Sequence, residues 1–357
     1  MSPEARVTRR RALTWSAALG VPVLVGAAIL VPVAASGAVD LPDKTPAELI
    51  AFAADSEVDA LSGTIEQTSD LGLPDLGALA GGAASGDEAT AAKLDDLLSL
   101  VTGSHTAKVY LDGADARLQV LDRLGERNVY VDGAAGTAWF VDSESKTATA
   151  LPLPDGEAPD VAPTPEDMLD QALAKLDEST EVTVGTDGRV AGRDVYELIF
   201  TPRTDDTLVG ELRFAIDGEN GAALAASVTA RGAPQPAWQV SFTQVDFTAP
   251  DPSVFAFTPG DGVQVEQLAL PDRAPTAPDS DAPRPTVIGE GWSSVVELPM
   301  DAGKTLDAEQ LALLDSLTTP VDGGRVLQTA LVSVLLTDDG RVLAGAVPVD
   351  VLVAAGR

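Results

Sequence analysis

The stretch from His105 to Leu153 constrains the fold most, because apolar and polar residues alternate through five short runs separated by the turns DGAD, LGE, DGAAG and DSES. Alternation with a period of two is typical of strands that bury one face. Connections of this length join antiparallel neighbours. The stretch therefore predicts an antiparallel meander.

Further strand patterns cover residues 180–247, and helical patterns interrupt them. Thr45, Pro46 and Glu48 form a predicted capping box at the start of one helix, and residues 165–178 predict another helix. Residues 89–100 predict a third, short helix. A sheet of about eleven strands is expected to curl. The sequence predicts an α+β fold, an unclosed and strongly curled antiparallel half-barrel whose concave face is covered by helices.

Composition excludes several function classes. The chain has no cysteine and a single histidine, His105, which excludes thiolate metal sites, cysteine nucleophiles and sites that need two histidines. A formal net charge of −32 repels phosphate backbones, so no nucleic-acid partner is expected. No nucleophile stands beside a base in a recognisable pattern. We therefore expect no enzymatic activity, no catalytic residue, no metal and no cofactor.

The N-terminal residues 1–39 predict export. Four arginines between Arg6 and Arg11 precede 28 residues without charge, which exceeds the roughly 20 needed to span a bilayer. The segment is interpreted as a signal peptide or an uncleaved signal-anchor helix, and both alternatives stay open. The rest of the chain is expected outside the cytoplasm, in the cell envelope, either anchored to the cytoplasmic membrane or secreted after cleavage.

Alternating apolar residues predict one continuous apolar sheet face. Its members are Val109, Leu111, Leu118, Val120, Val129, Val131, Trp139, Val141, Leu198, Phe200, Leu212, Phe214, Val240 and Phe242. The helices are expected to cover this face with Leu49, Ile50, Phe52, Met168, Leu169, Leu173 and Leu176. One interpretation is a filled core; the other is that the helices leave a slot for an acyl chain. Arg117 is a candidate polar contact for such a ligand.

Three segments carry a resemblance to a known family. These are PAELIAFAADSEVDALSGTIEQTSDLGLP, DGAAGTAWFVDSESKTAT and QVDFTAPDPSVFAFTPGDGVQV. They resemble an exported actinobacterial member of the lipoprotein-carrier (LolA/LolB) and RseB/MucB superfamily. The resemblance implies a half-barrel domain over residues 40–270. A Pro- and Asp-rich linker (271–285) and a small C-terminal α+β extension (286–357) follow.

The resemblance implies two functions. The first is binding or transport of a lipid or lipoprotein acyl chain by a monomer, between the sheet and a helical lid. A fully enclosed 16-carbon chain would gain about 12 kcal/mol at about 0.8 kcal/mol per methylene, so reversible transfer requires partial burial. The alternative is an RseB-like envelope sensor that acts through protein contacts, with a membrane protein as partner.

Overall fold

The computed structural model describes residues 39–72, 103–121, 125–153, 164–267, 285–299 and 317–357. This part of the chain forms two β-sheets and three α-helices. The predicted helix at 89–100, the linker and nearly all of the N-terminal segment lie outside the described residues. Within the described residues, no helix combines the length and apolarity that a bilayer span requires.

Thirteen strands form the first sheet. They are β1 (Ala60–Ser69), β2 (His105–Asp112), β3 (Asp115–Leu121), β4 (Glu126–Asp132), β5 (Thr137–Asp142), β6 (Thr147–Pro152), β7 (Thr180–Val184), β8 (Gly188–Val190), β9 (Arg193–Pro202), β10 (Val209–Asp217), β11 (Ala223–Ala230), β12 (Pro236–Asp246) and β13 (Gln264–Gln267). Their order is β13-β6-β5-β4-β3-β2-β1-β12-β11-β10-β9-β7, with β8 beside β9. The sheet is mixed, not purely antiparallel, because β13 runs parallel to β6.

The sheet is open and curled. Within the described residues, its end strands β13 and β7 do not pair with each other, so this part of the chain does not close into a barrel. Yet β8 contacts β12, although β9, β10 and β11 separate them in the pairing order. A flat sheet would hold these two strands about 19 Å apart, at about 4.8 Å per strand. The contact therefore requires strong curvature, consistent with a half-barrel.

Helices α1 (Pro46–Ala54) and α2 (Pro165–Ala174) both begin with a capping box and a proline in the first turn. The predicted start of α1 is confirmed. Helix α2 ends at Ala174, four residues before the predicted end, because the next amides bond three residues back: Lys175 to Ala172 and Leu176 to Leu173. Such i→i−3 bonds close a helix with a tighter turn.

The hydrophobic core lies on one face of the sheet, which we call the inner face. Leu49 of α1 and Leu169 of α2 belong to one buried cluster with sheet residues. The sheet residues of this cluster include Val109, Leu118, Phe200 and Val240. Helix α1 contacts β7 and β9, and α2 contacts β11. Helical cover over the other strands stays a prediction. We call the opposite face the outer face.

The second sheet consists of β14 (Thr286–Ile288), β15 (Val295–Pro299), β16 (Thr319–Val321), β17 (Gly324–Gln328), β18 (Ser333–Thr337) and β19 (Arg341–Gly345). The strand order is β14-β15-β19-β18-β17-β16, and every pair is antiparallel. Helix α3 (Val349–Ala355) packs on it through Leu352. The Asp338–Gly340 turn joins β18 and β19.

The second sheet contacts one end of the half-barrel. The Ala346 carbonyl accepts hydrogen bonds from the Leu208 amide (2.8 Å) and from the Thr207 hydroxyl (2.7 Å). The loop between β17 and β18 places Leu331 in the core of the first sheet, where it is 1% exposed. These contacts close the inner face at that end, so access to it must come from elsewhere.

Candidate apolar binding site on strands β4 to β6

The register of β4, β5 and β6 decides which side chains share a face. Val129 pairs with Phe140 and Val131 with Ala138, whereas Tyr130 pairs with Trp139. Directly paired residues of antiparallel strands lie on the same face. Phe140 therefore joins the inner face with Val129 and Val131, and Trp139 lies on the outer face.

This register corrects the predicted apolar face at β5. The sequence places Trp139 and Val141 beside Val129, but they lie on the opposite face. The turn between Asp132 and Thr137 fixes which residues of β4 and β5 pair with each other. A shift of this register by one residue would move every side chain of β5 to the opposite face. Both faces of β5 are apolar, so alternation alone does not tell them apart.

Most of the predicted ligand-lining residues are core residues in the structure. Ten of them are at most 5% exposed: Val109, Leu118, Val120, Val131, Leu198, Phe200, Leu212, Phe214, Val240 and Phe242. Among the predicted lid residues, Leu49 and Leu169 are almost fully buried, Met168 is 8% exposed, and Ile50, Phe52, Leu173 and Leu176 pack against the core while partly exposed. Over β9 to β12 the helices and sheet are closely packed.

The inner face is exposed in part at β4 to β6, although Val131 and Ala138 of the same face are fully buried. Phe140 is 42% exposed, and its neighbours Val129 and Leu151 are partly exposed. Leu111, on β2, is partly exposed on the same face. We call Leu111, Val129, Phe140 and Leu151 the open strip. Phe140 and Leu151 are not among the predicted lining residues, because the pairing register that places them on the inner face is a property of the assembled sheet.

The outer face of the same strands carries an aromatic cluster. The Phe257 ring stacks on Tyr130, with centroids 5.1 Å apart, and lies 5.3 Å from the Trp139 ring. Phe257 follows a short 3₁₀ turn, Pro252–Val254, that comes after β12. The chain after β12 thus covers the outer face of β4 to β6 with aromatic side chains.

Arg117 belongs to this cluster and not to the inner face, which corrects its predicted role as a contact for a ligand in the slot. Its guanidinium lies 4.7 Å from the Tyr130 ring centroid. Its nitrogens donate to Asn128 Oδ1 at 3.0 and 3.3 Å and to the Val254 carbonyl at 3.3 Å. Burial of Tyr130 raises the pKa of its phenol. Arg117 thus ties the chain after β12 to the sheet.

A cavity of about 280 Å³ lies beside the aromatic cluster. We call it the outer pocket. Its lining residues are Tyr130, Asp132, Ala135, Thr137, Trp139, Ala150, Phe255, Phe257 and Gln267. The open strip and the outer pocket therefore use adjacent residues of β5 on opposite faces of one sheet.

The described residues contain no cluster of three or more histidine, cysteine, aspartate or glutamate side chains that could hold a metal ion. His105 is the first residue of β2 and is not part of the open strip. A carboxyl group with a raised pKa lies at the start of α2: burial raises the pKa of Glu166, whose Oε2 accepts the Ala223 amide at 2.7 Å. The absence of catalysis, metals and cofactors stays a prediction.

Comparisons with known proteins return structural matches only. No family model matches the sequence, and no curated protein matches it. Among solved structures, the Pseudomonas aeruginosa MucA/MucB complex matches with 19% identity and a TM-score of 0.42, covering 87% of this chain and 96% of that chain. A LolA superfamily protein from Nitrosomonas europaea matches with 10% identity and a TM-score of 0.23, covering 60% and 99%.

A lipoprotein-sorting protein domain from Vibrio parahaemolyticus also matches, with 11% identity, a TM-score of 0.22 and coverage of 58% of this chain and 94% of that chain. The matched structures include MucB and LolA-superfamily proteins. They are the group whose resemblance the sequence indicates. An actinobacterial origin stays a prediction.

Proposed function

We propose that this protein binds an apolar chain, such as the acyl chain of a lipid or lipoprotein, in the cell envelope outside the cytoplasm. The chain would lie on the open strip, between the sheet and the helices. The observation that carries the proposal is the 42% exposure of Phe140 on a face whose large side chains on β9 to β12 are almost fully buried. Exposed aromatic surface next to a closed core is a place for an apolar ligand.

The geometry favours partial and reversible burial. Among the described residues, the large inner-face side chains of β9 to β12 are buried and Leu331 closes one end, whereas the residues of the open strip are exposed in part. Each methylene that leaves water contributes about 0.8 kcal/mol. A ligand that buries only part of its length on the open strip would bind with micromolar rather than picomolar affinity, which suits a carrier that releases its cargo.

The proposal is tested by displacement of a fluorescent fatty acid from the protein. Phe140→Ser should weaken binding about fivefold or more, because it removes about 1 kcal/mol of apolar contact. Trp139→Phe is the matched control: it changes the adjacent aromatic residue on the outer face and should leave the affinity unchanged. A wild-type protein that binds no probe and copurifies with no lipid would overturn the proposal.

A second candidate function is an envelope sensor that acts through protein contacts. The edge strand β14 of the second sheet supports it, because Val287 is 61% exposed there. Strand β14 pairs with β15 on one side only, and the free side of an edge strand can pair with a strand of another chain. Crosslinking from position 287 in native membranes distinguishes the two: one specific membrane protein, with no bound lipid, favours the sensor.

A further inference from the structure

We propose that the outer pocket binds an organic cation, namely an alkylammonium group. The site lies on the face opposite the open strip, so it does not depend on the proposed acyl-chain binding. The chemistry of its walls and of its rim supports the proposal independently.

The walls are aromatic. Tyr130, Trp139, Phe255 and Phe257 all line the cavity. Phe257 packs against two of them, with its plane at 27° to Tyr130 and 56° to Trp139, so the lining rings have different orientations. The negative faces of aromatic rings attract cations, and several rings together form the cages that recognise quaternary ammonium groups.

The cluster already holds a cation of the chain itself. The Arg117 guanidinium stacks against Tyr130 at 4.7 Å and is fixed there by hydrogen bonds to Asn128 and Val254. It does not line the pocket. Tyr130 thus already contacts one cation, Arg117, outside the cavity. The other aromatic lining residues, Trp139, Phe255 and Phe257, would contact the ligand.

The charge at the rim selects a cation over a neutral apolar group. Asp132 lines the pocket and is exposed to solvent, and no lysine or arginine is among the lining residues. Its Oδ1 accepts the Ala135 amide at 2.7 Å, and its Oδ2 has no hydrogen-bond partner among the described residues. A chain with a net charge of −32 adds a negative potential that raises the local concentration of cations.

The size of the cavity limits the ligand. A volume of about 280 Å³ is at the small end of ligand pockets, so it suits one headgroup or one side chain and not a complete lipid. Two sources supply this chemistry: a quaternary ammonium compound such as choline, and the ammonium group of a lysine side chain. With two or three aromatic contacts we expect a dissociation constant of about 1 mM.

The test uses the full chain labelled with 5-fluorotryptophan and fluorine NMR. The chain has four tryptophans, and the Trp139 resonance is assigned by its loss in Trp139→Phe. Choline should shift this resonance in a saturable way and leave the buried Trp238 resonance unchanged. Dimethylbutanol, the uncharged isostere in which carbon replaces nitrogen, should bind at least tenfold more weakly.

Asp132→Asn should weaken choline binding several-fold while keeping the acceptor for the Ala135 amide. Asp142→Asn is the matched control, because Asp142 caps the next turn in the same way, through the Glu144 amide at 2.8 Å, and does not line the pocket. A parallel titration with N-acetyl-lysine amide identifies which source binds better. Equal binding of choline and its isostere, or no shift with either cation, would overturn the proposal.

Discussion

Two regions of the first sheet, β9–β10 and β4–β6, differ in the polarity of their outer faces. On β9 and β10 the outer face is charged, and Arg213 bridges Glu197 at 2.9 Å and Glu211 at 2.7 Å. On β4 to β6 the outer face is apolar, and the chain after β12 covers it with Phe257. A charged face is stable in water, whereas an apolar face must be covered.

The inner face differs between the same two halves. Phe200 on β9 is 1% exposed under the helices, and Phe140 on β5 is 42% exposed. Strands β4 to β6 are thus apolar on both sides and incompletely covered on one. Both candidate sites therefore lie in the region where the sheet has more apolar surface than the described helices and loops cover.

The largest change in the free energy of unfolding is expected from substitutions on the inner face. Phe200→Ala should lower the free energy of unfolding by about 3–5 kcal/mol, because it leaves a cavity next to Phe214, whose ring lies 5.6 Å away. Phe140→Ala should lower it by less than about 1 kcal/mol, because water already reaches that ring. Urea unfolding of both variants measures the difference. Equal losses would contradict the distinction between a closed and an open region.

The next largest change in the free energy of unfolding is expected where the chain after β12 covers the outer face. Arg117→Ala should lower the free energy of unfolding by about 1–3 kcal/mol, since it removes a cation–π contact and the hydrogen bonds to Asn128 and Val254. Arg203→Ala is the control: its ion pair with Glu181 is 3.6 Å long and more than half exposed, so the loss should stay below about 0.5 kcal/mol. A loss at Arg117 no larger than the control's would mean that the cover does not depend on it.

The smallest expected effect on stability concerns the packing of α2 against β11, and it depends on pH. Burial raises the pKa of Glu166 above its ordinary value of 4.5, so the folded state favours the protonated form. Its contribution to stability is fully present below the unfolded pKa and is lost as the pH rises through the folded pKa.

Glu166→Gln keeps the acceptor for the Ala223 amide but does not titrate. The stability of the wild type relative to this variant should therefore fall as the pH rises above about 4.5. Thermal unfolding of both proteins across this range measures the change. A constant difference between the two would show that Glu166 titrates like an exposed carboxyl group.

Much of the fold could be predicted from local patterns. The Asp–Gly turns and the alternation from His105 onward predict the meander, and Thr45 with Glu48 predicts the start of α1. Strand β13 is not predicted from the sequence, because all four of its residues are exposed and it has no buried face that would produce an apolar pattern. The pattern extends α2 four residues too far, since its apolar stripe continues into a tighter turn.

The candidate sites could be predicted only in part. Alternation identifies the apolar residues of the core, and ten of the fourteen predicted lining residues are almost fully buried. Which of them an incoming ligand can reach depends on helices, loops and a second sheet that come from distant parts of the chain. Phe140, Phe255 and Phe257 carry the two candidate sites, and no local pattern marks them.

The amino-acid sequence alone is enough to specify a meander of short apolar-faced strands, because turn chemistry and a period of two are local properties. The assignment of Trp139 and Phe140 to different faces comes from the assembled sheet. The side chains of a strand alternate between faces, so the register of the strand with its neighbour determines which set lies inside. Where both sets are apolar, as on β5, only packing against the rest of the molecule shows which of them is covered.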